Sequence, residues 1–365
     1  MDAGNLLVLS IIVVLVPYFR RMFFYNQESH KEPRPTGDRL PVFDFLRGVA
    51  IMAVVIIHVA WVYILSNPDR SDIFLFFVNN VSRFAISIFF IVSGALLQIG
   101  DLSLKSLAKF YRTKLIRVFL PYILVVSFLS FYFQDSFSEF AYNLLTGNSL
   151  PPFYFIIILL QFYIIFPFLS KFRTNKYLLP ISFVISWVSF LVPALLSLGG
   201  VPFFGQYLFF FAYGLTHRNQ LIAESAKKGI DKKKIKLCSV LVLLYLLICL
   251  LDPGYYYNTQ LIYGTAVFVI LFEIYKKYYS GLIAKLFVLF GSLSLWIFLL
   301  HFPITEMFTI KIPALVGEFY PAFYISAILS LVFSLAVAFV ASRLFSFIKK
   351  YLMSYTLDYN KSINE

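Results

Sequence analysis

Apolar runs long enough to cross a bilayer recur along nearly all 365 residues of this chain, and the connections between them alternate between Lys/Arg-rich and Lys/Arg-poor. Such a pattern leaves one economical fold. A bilayer offers the backbone no hydrogen-bonding partners, so each continuous apolar span must satisfy its own groups as a helix. A transmembrane barrel needs short segments of alternating polarity instead. With 60% hydrophobic and only 13% charged residues, the chain cannot clothe a soluble domain in charge. The sequence therefore predicts an all-α polytopic transmembrane helical bundle with no separate soluble domain.

The expected spans are Leu6–Phe24, Phe45–Leu65, Phe84–Ile99, Val118–Phe133, Phe153–Leu169, Leu178–Leu198, Phe203–Thr216, Leu237–Leu251, Gln260–Tyr275, Leu286–His301 and Tyr320–Phe347. Arg83 stands just before the third, His301 near the outer end of the tenth, and Glu306 and Lys311 in the loop after it. Basic clusters follow every second span, as at Lys105, Lys109, Arg112, Lys114 and Arg117, or at Lys171, Arg173 and Lys176. About eleven spans with the N-terminus outside and the C-terminus cytoplasmic satisfy the positive-inside rule throughout. The chain divides into an extra N-terminal span and linker (1–40), a ten-span core (41–348) and a short cytoplasmic tail (349–365). This topology also explains the net charge of +13 more simply than a nucleic-acid partner does. Cys238 and Cys249 fall in one span, ~16 Å apart along a helix, too far to bridge, and read as small core residues. The first apolar run has no basic residue before it and no small-residue cleavage site, so a removed signal peptide is not expected.

Phosphate-binding loops, dinucleotide fingerprints, paired-cysteine metal sites and HExxH are missing, so any chemistry falls to polar groups inside the spans. FDFLRGVAIMAVVIIHVAWVY, residues 43–63, places Asp44, Arg47 and His58 in or beside one span, where ionisable groups are costly unless paired, hydrated or used. On a helix Arg47 and His58 share one face, about 16 Å apart along the axis. One lies near a membrane surface and the other near the middle. For His58 two readings stand, a core histidine bonded to a neighbouring helix and a general base that takes a hydroxyl proton. Arg47 reads as an interfacial anchor or an anion ligand, His301 as an interfacial polar residue or a site residue. His30 and His217 fall in cytoplasmic segments and read as structural.

DFLRGVAIMAVVIIH, with ten residues between Arg47 and His58, resembles the opening motif of the acyltransferase-3 family of integral membrane acyltransferases. RFAISIFFIVSGALL (83–97), FYRTKLIRVFLPY (110–122), YFIIILLQFYIIFP (154–167) and LFGSLSLWIFLLHFPI (287–304) resemble that family's later landmarks in the same order. The resemblance covers roughly residues 41–347. It implies a ten-span membrane O-acyltransferase, most often moving acetyl from acetyl-CoA to a hydroxyl of a cell-envelope glycan, in a bacterial cytoplasmic membrane. It further implies that Arg47 and His58 are the family's Arg and His pair and that His301 is its late-span histidine. The family's two arginines three residues apart match Lys114 and Arg117; lysine keeps the charge and lacks the bidentate fork. The extra first span and the lack of a following secreted hydrolase-like domain depart from many members, so acceptor positioning falls to the membrane domain or to a partner in glycan synthesis.

On this basis acyl-CoA is a co-substrate rather than a resident cofactor, held through its phosphates by Arg47, Arg112, Lys114 and Arg117 at the cytoplasmic side. His58 is the base, with an acyl-histidine relay as a variant. Asp44 orients Arg47, Arg83 supports the site, and Ser93 or Gly94 permits close packing. Tyr255, Tyr256 and Tyr257 read as sugar-stacking or as an interfacial aromatic belt. The competing functional readings are a transporter or export component for a polysaccharide or lipid-linked glycan, and a structural subunit of a synthesis complex. Transport would favour spans broken at the midplane; no clear pair is visible, and Pro167, Pro193 and Pro202 leave it open.

Overall fold

The computed structural model describes residues 40–66, 73–192, 197–251 and 256–364. The first expected span, its linker with His30, the acidic loop around Arg70, Pro193 and the turn holding Tyr255 lie outside the described residues, as do the side chains of Tyr256, Tyr257 and Lys361. In chain order the helices are α1 (Pro41–Ser66), α2 (Ile73–Ser82), α3 (Phe84–Leu96), α4 (Leu104–Lys114), a π turn (Leu115–Phe119), α5 (Leu120–Phe133) and α6 (Phe137–Thr146). There follow α7 (Tyr154–Lys171), α8 (Leu178–Leu191), a hairpin of β1 (Ser197–Leu198) and β2 (Val201–Pro202), then α9 (Leu208–Ser225) and α10 (Lys232–Leu251). The last four are α11 (Tyr256–Tyr278), α12 (Leu282–Ser292), α13 (Ser294–Val316) and α14 (Phe319–Asn364). By length and composition seven of these passages can cross a bilayer, with α8 and α12 as shorter apolar helices. The chain is an all-α polytopic bundle.

Several boundaries differ from the sequence reading, three of them for one reason, and the span expected from Val118 is one helical passage from Leu104 to Phe133 that takes in the basic cluster. Asn79, Asn80 and Ser82 are buried on α2, so the third span begins at Ile73 and Arg83 lies inside it rather than before it. His301, Thr305 and Thr309 recur every four residues and are all buried, so their polarity marks the inward face of α13. The helix continues to Val316, which takes Glu306 and Lys311 out of the expected loop and His301 away from the outer end. Similarly α9 runs past Thr216 to Ser225 and buries His217 and Arg218. There Thr216 Oγ1 donates to the Ala212 carbonyl (2.9 Å) and His217 stacks on Tyr213 (4.4 Å between ring centres). A further difference is opposite in sense. α8 stops at Leu191, and residues 197–202 turn back as the β1–β2 hairpin, with Ser197 paired to Pro202 and Leu198 to Val201. The expected tail beyond residue 349 continues α14 without a break.

Two glycine crossings fix α1 and α3 at the basic end of the bundle. A Cβ on Gly48 would overlap the Phe287 carbonyl of α12, and one on Gly291 would overlap the Asp44 carbonyl of α1. The same reciprocity joins Gly94 of α3 to Phe211 of α9 and Gly214 of α9 to Ile91 of α3. With no hydrophobic drive between helices in lipid, such backbone approach is what gives them close-range dispersion and Cα–H···O contacts of roughly 0.5–1 kcal/mol each.

At the opposite end the connection before α7 is folded rather than loose. Ser136 caps α6 by accepting from the Glu139 backbone N–H, while the Glu139 carboxylate accepts from the Ser136 N–H (2.7 Å), a capping box written in the sequence as Ser-x-x-Glu. Asp135 accepts from Ser130 Oγ (2.9 Å) and Asn143 Nδ2 (3.2 Å), tying α5 to α6. This anchoring sets the position of Pro151, Pro152 and Tyr154, which re-enter the bundle beside α1.

Candidate active site

α1 begins with Pro and an acidic first turn, both favourable at a helix N-terminus. Asp44 is 2% exposed and pairs with Arg47 across one turn, Oδ1 to Nη2 at 3.1 Å. The Arg47 side chain remains 30% exposed at the basic end. A buried carboxylate beside a half-exposed guanidinium fixes the direction of the cation without neutralising its access to solvent.

The other expected cations converge only in part. Lys114 Nζ sits over the rings of Phe110 and Tyr163, 5.4 Å from each centre, and the Arg47 charge is felt at the same Tyr163. Arg47 and Lys114 thus both act electrostatically on one tyrosine. Arg117 lies within electrostatic reach of Lys114 from the π turn, and Arg112 and Arg117 are exposed. π turns inside helices mark functional sites often enough to make this one notable. Ser93 lies in the last turn of α3 and accepts the Leu97 N–H through its carbonyl, and Gly94 forms the α3–α9 crossing; both are well below the histidine level.

About 16 Å further along α1, His58 meets His301, which is fully buried on α13. His301 Nε2 and His58 Nδ1 are 3.2 Å apart, and the ring centres 5.0 Å. The bonding around the pair determines its tautomers. His301 Nδ1 faces two carbonyls, Ile297 at 3.1 Å and Phe298 at 2.9 Å, which only accept, so Nδ1 carries the proton and neutral His301 offers a lone pair at Nε2. His58 Nδ1 faces that lone pair and the Val54 carbonyl at 2.7 Å, so it is a donor as well. The lone pair of His58 then lies at Nε2. In this state His58 is a base whose second nitrogen is held by two acceptors, the arrangement that orients an imidazole and stabilises the cation it becomes.

His58 lines a pocket of about 220 Å³. Arg83, Asn79 and Ser82 form its polar wall, and Trp61, Phe155 and Phe298 much of its apolar one, with Pro151 and Pro152 from the anchored connection also lining it. Arg83 donates from Nη2 to Asn79 Oδ1 (2.9 Å), and its charge is felt at His58.

Sequence reasoning chose His58, Arg47 and His301 and missed Asn79, Ser82, Pro151 and Pro152. The signal for the first two was the polar triplet Asn79, Asn80, Ser82 beside an apolar run. No local signal marks the prolines, because only the α5–α6 tie brings them to the pocket.

A family model described as an acyltransferase domain matches residues 40–346. No curated protein and no solved structure matches the chain.

Proposed function

This chain belongs to the acyltransferase-3 family and is a multi-pass membrane acyltransferase; from that premise we propose that it moves a short acyl group, most simply acetyl, from cytoplasmic acyl-CoA to a hydroxyl of a cell-envelope or extracellular glycan. The observation that carries this reading is the His58–His301 pair, with a basic nitrogen of defined tautomer on a residue that lines a pocket. In this reading the membrane is a bacterial inner membrane and the basic end faces the cytoplasm, the side that the positive-inside rule favours.

In this scheme Arg47 and Lys114, beside Tyr163, take phosphate oxygens of the CoA, with Arg112 and Arg117 adding long-range attraction. The pantetheine arm passes between helices along α1, and the thioester reaches the pocket. The acceptor hydroxyl comes from the opposite side, past Pro151 and Pro152. His58 Nε2 takes its proton as oxygen attacks the thioester carbon, and the His58 Nδ1–H bonds to Val54 and His301 hold the resulting imidazolium. Return of that proton to sulfur releases CoA. The ester stays on the glycan.

Release of free CoA by the purified protein, given acetyl-CoA and native envelope glycan, is the test. Arg47→Ala is expected to raise the donor KM roughly tenfold or more, the cost of one charge-assisted phosphate contact, with a smaller change in kcat. An unchanged donor KM would remove Arg47 from the donor site. No CoA release by folded wild type across several donors and acceptors would reject the enzymatic scheme in favour of glycan export. The two interrupted spans do not by themselves favour export, since a single residue, Arg83 or Leu293, separates their halves where ion-coupled transport uses unwound backbone.

A further inference from the structure

We propose that Arg83 is a catalytic residue, whose guanidinium receives the oxyanion that forms on the thioester carbonyl when the acceptor hydroxyl attacks. This rests on the reading of His58 as the base. The first observation is placement. Arg83 is a cation about 15 Å inside a span, and it lines the same pocket as His58. An arginine at that depth is costly to keep, and it is retained where it meets a substrate or a relay.

A second, independent observation is how firmly the backbone at Arg83 is held. α2 ends at Ser82 and α3 starts at Phe84, so Arg83 sits on a break in the helix. Two tyrosines donate to the carbonyls of residues just before it. Tyr245 Oη of α10 donates to the Asn80 carbonyl (3.1 Å), and Tyr263 Oη of α11 donates to the Val81 carbonyl (2.6 Å). The two rings stack face to face, 3.8 Å between centres at 9°. Asn79 then fixes the guanidinium itself. Three neighbouring residues therefore hold one half-buried cation and the backbone just before it, which is the preorganisation that stabilises a developing charge without reorganisation at the moment of reaction.

The step balances as follows. The acceptor oxygen forms a bond to the thioester carbon while its proton goes to His58 Nε2, and the carbonyl π pair moves onto oxygen, which Arg83 N–H groups then hold. When that pair returns, the C–S bond breaks, sulfur leaves with its electrons, and His58 Nε2 returns the proton to it. Ester and CoA thiol result, and both residues are restored.

The experiment is steady-state CoA release with donor and acceptor varied separately, in wild type, Arg83→Gln, Arg83→Lys, Tyr263→Phe and His58→Ala. Loss of one oxyanion donor is expected to lower kcat by ~10²–10³-fold in Arg83→Gln, with both KM values near wild type and partial recovery in Arg83→Lys. Tyr263→Phe keeps the stacked ring, removes one hydrogen bond, and is expected to lower kcat about fivefold. Unchanged kcat in Arg83→Gln overturns the assignment. A raised acceptor KM with unchanged kcat also overturns it, and makes Arg83 a binder of an anionic acceptor. If Arg83→Gln does not fold, Tyr263→Phe decides, and unchanged kcat there overturns the proposal. Full turnover in His58→Ala marks failure of the parent reading instead, since Arg83 and His58 are varied independently.

Discussion

Replacing His58 with alanine is expected to lower turnover by about 10²–10⁴-fold, the usual contribution of a positioned general base, and to leave donor binding at Arg47 intact. The separation follows from α1 itself, which keeps the two sites ~16 Å apart on one rigid helix. His301→Gln should cost less. His58 Nδ1–H keeps its 2.7 Å bond to the Val54 carbonyl, so the tautomer survives while one of its two acceptors changes. A loss of roughly 10- to 100-fold, about 1.4–2.7 kcal/mol, is the expected range. Because His301 acts only through His58, the double variant should be no slower than His58→Ala alone. Rapid CoA release under single-turnover conditions measures all three. Fully additive losses would mean that His301 acts on substrate independently of His58, and equal turnover in His58→Ala would end its assignment as base.

The second large effect concerns folding. Gly291→Val is expected to destabilise the bundle by about 3 kcal/mol or more, at the upper end of overpacking, because its Cβ would meet backbone of α1 and not a side chain that can swing away. Gly48→Val should do the same from the other side, against Phe287. Detergent-solubilised thermal unfolding reads both. Because either substitution forces the same two helices apart and so opens space for the other, the pair should lose less than the sum. Near-native stability in Gly291→Val would show that α12 can slide along α1, and the crossing would lose its role in fixing Arg47.

The contrast between what was and was not legible in the sequence has a physical basis. Continuous apolar runs reveal spans because lipid demands them, which is why α1, α5, α7 and α10 fall near their expected places. The same logic misplaces boundaries where polar residues face inward. Asn79, Asn80 and Ser82 looked like the end of a loop, and Thr305 and Thr309 like the start of one, because hydropathy registers polarity without its direction. In a bundle, an inward polar face is part of the span. The Arg47–His58 spacing was legible as a face and a distance. That His301 approaches His58 was not, since no local pattern encodes the crossing that brings α13 against α1. The short helix α6 was written openly as a Ser136-to-Glu139 capping box, and only its consequence for Pro151 and Pro152 required the tertiary fold.

The glycine crossing also has a meaning in terms of chain counting. Gly48 precedes His58 by ten residues, and Gly291 precedes His301 by ten. α1 and the α12–α13 passage leave their shared pin in the same direction and arrive at the histidine pair by arms of equal length. Inserting one residue into a single arm advances its histidine ~1.5 Å and turns it ~100°, which takes the ring off the shared face. Two histidines 243 positions apart in the chain are therefore kept in register by a measure taken locally, from one point, on both helices at once.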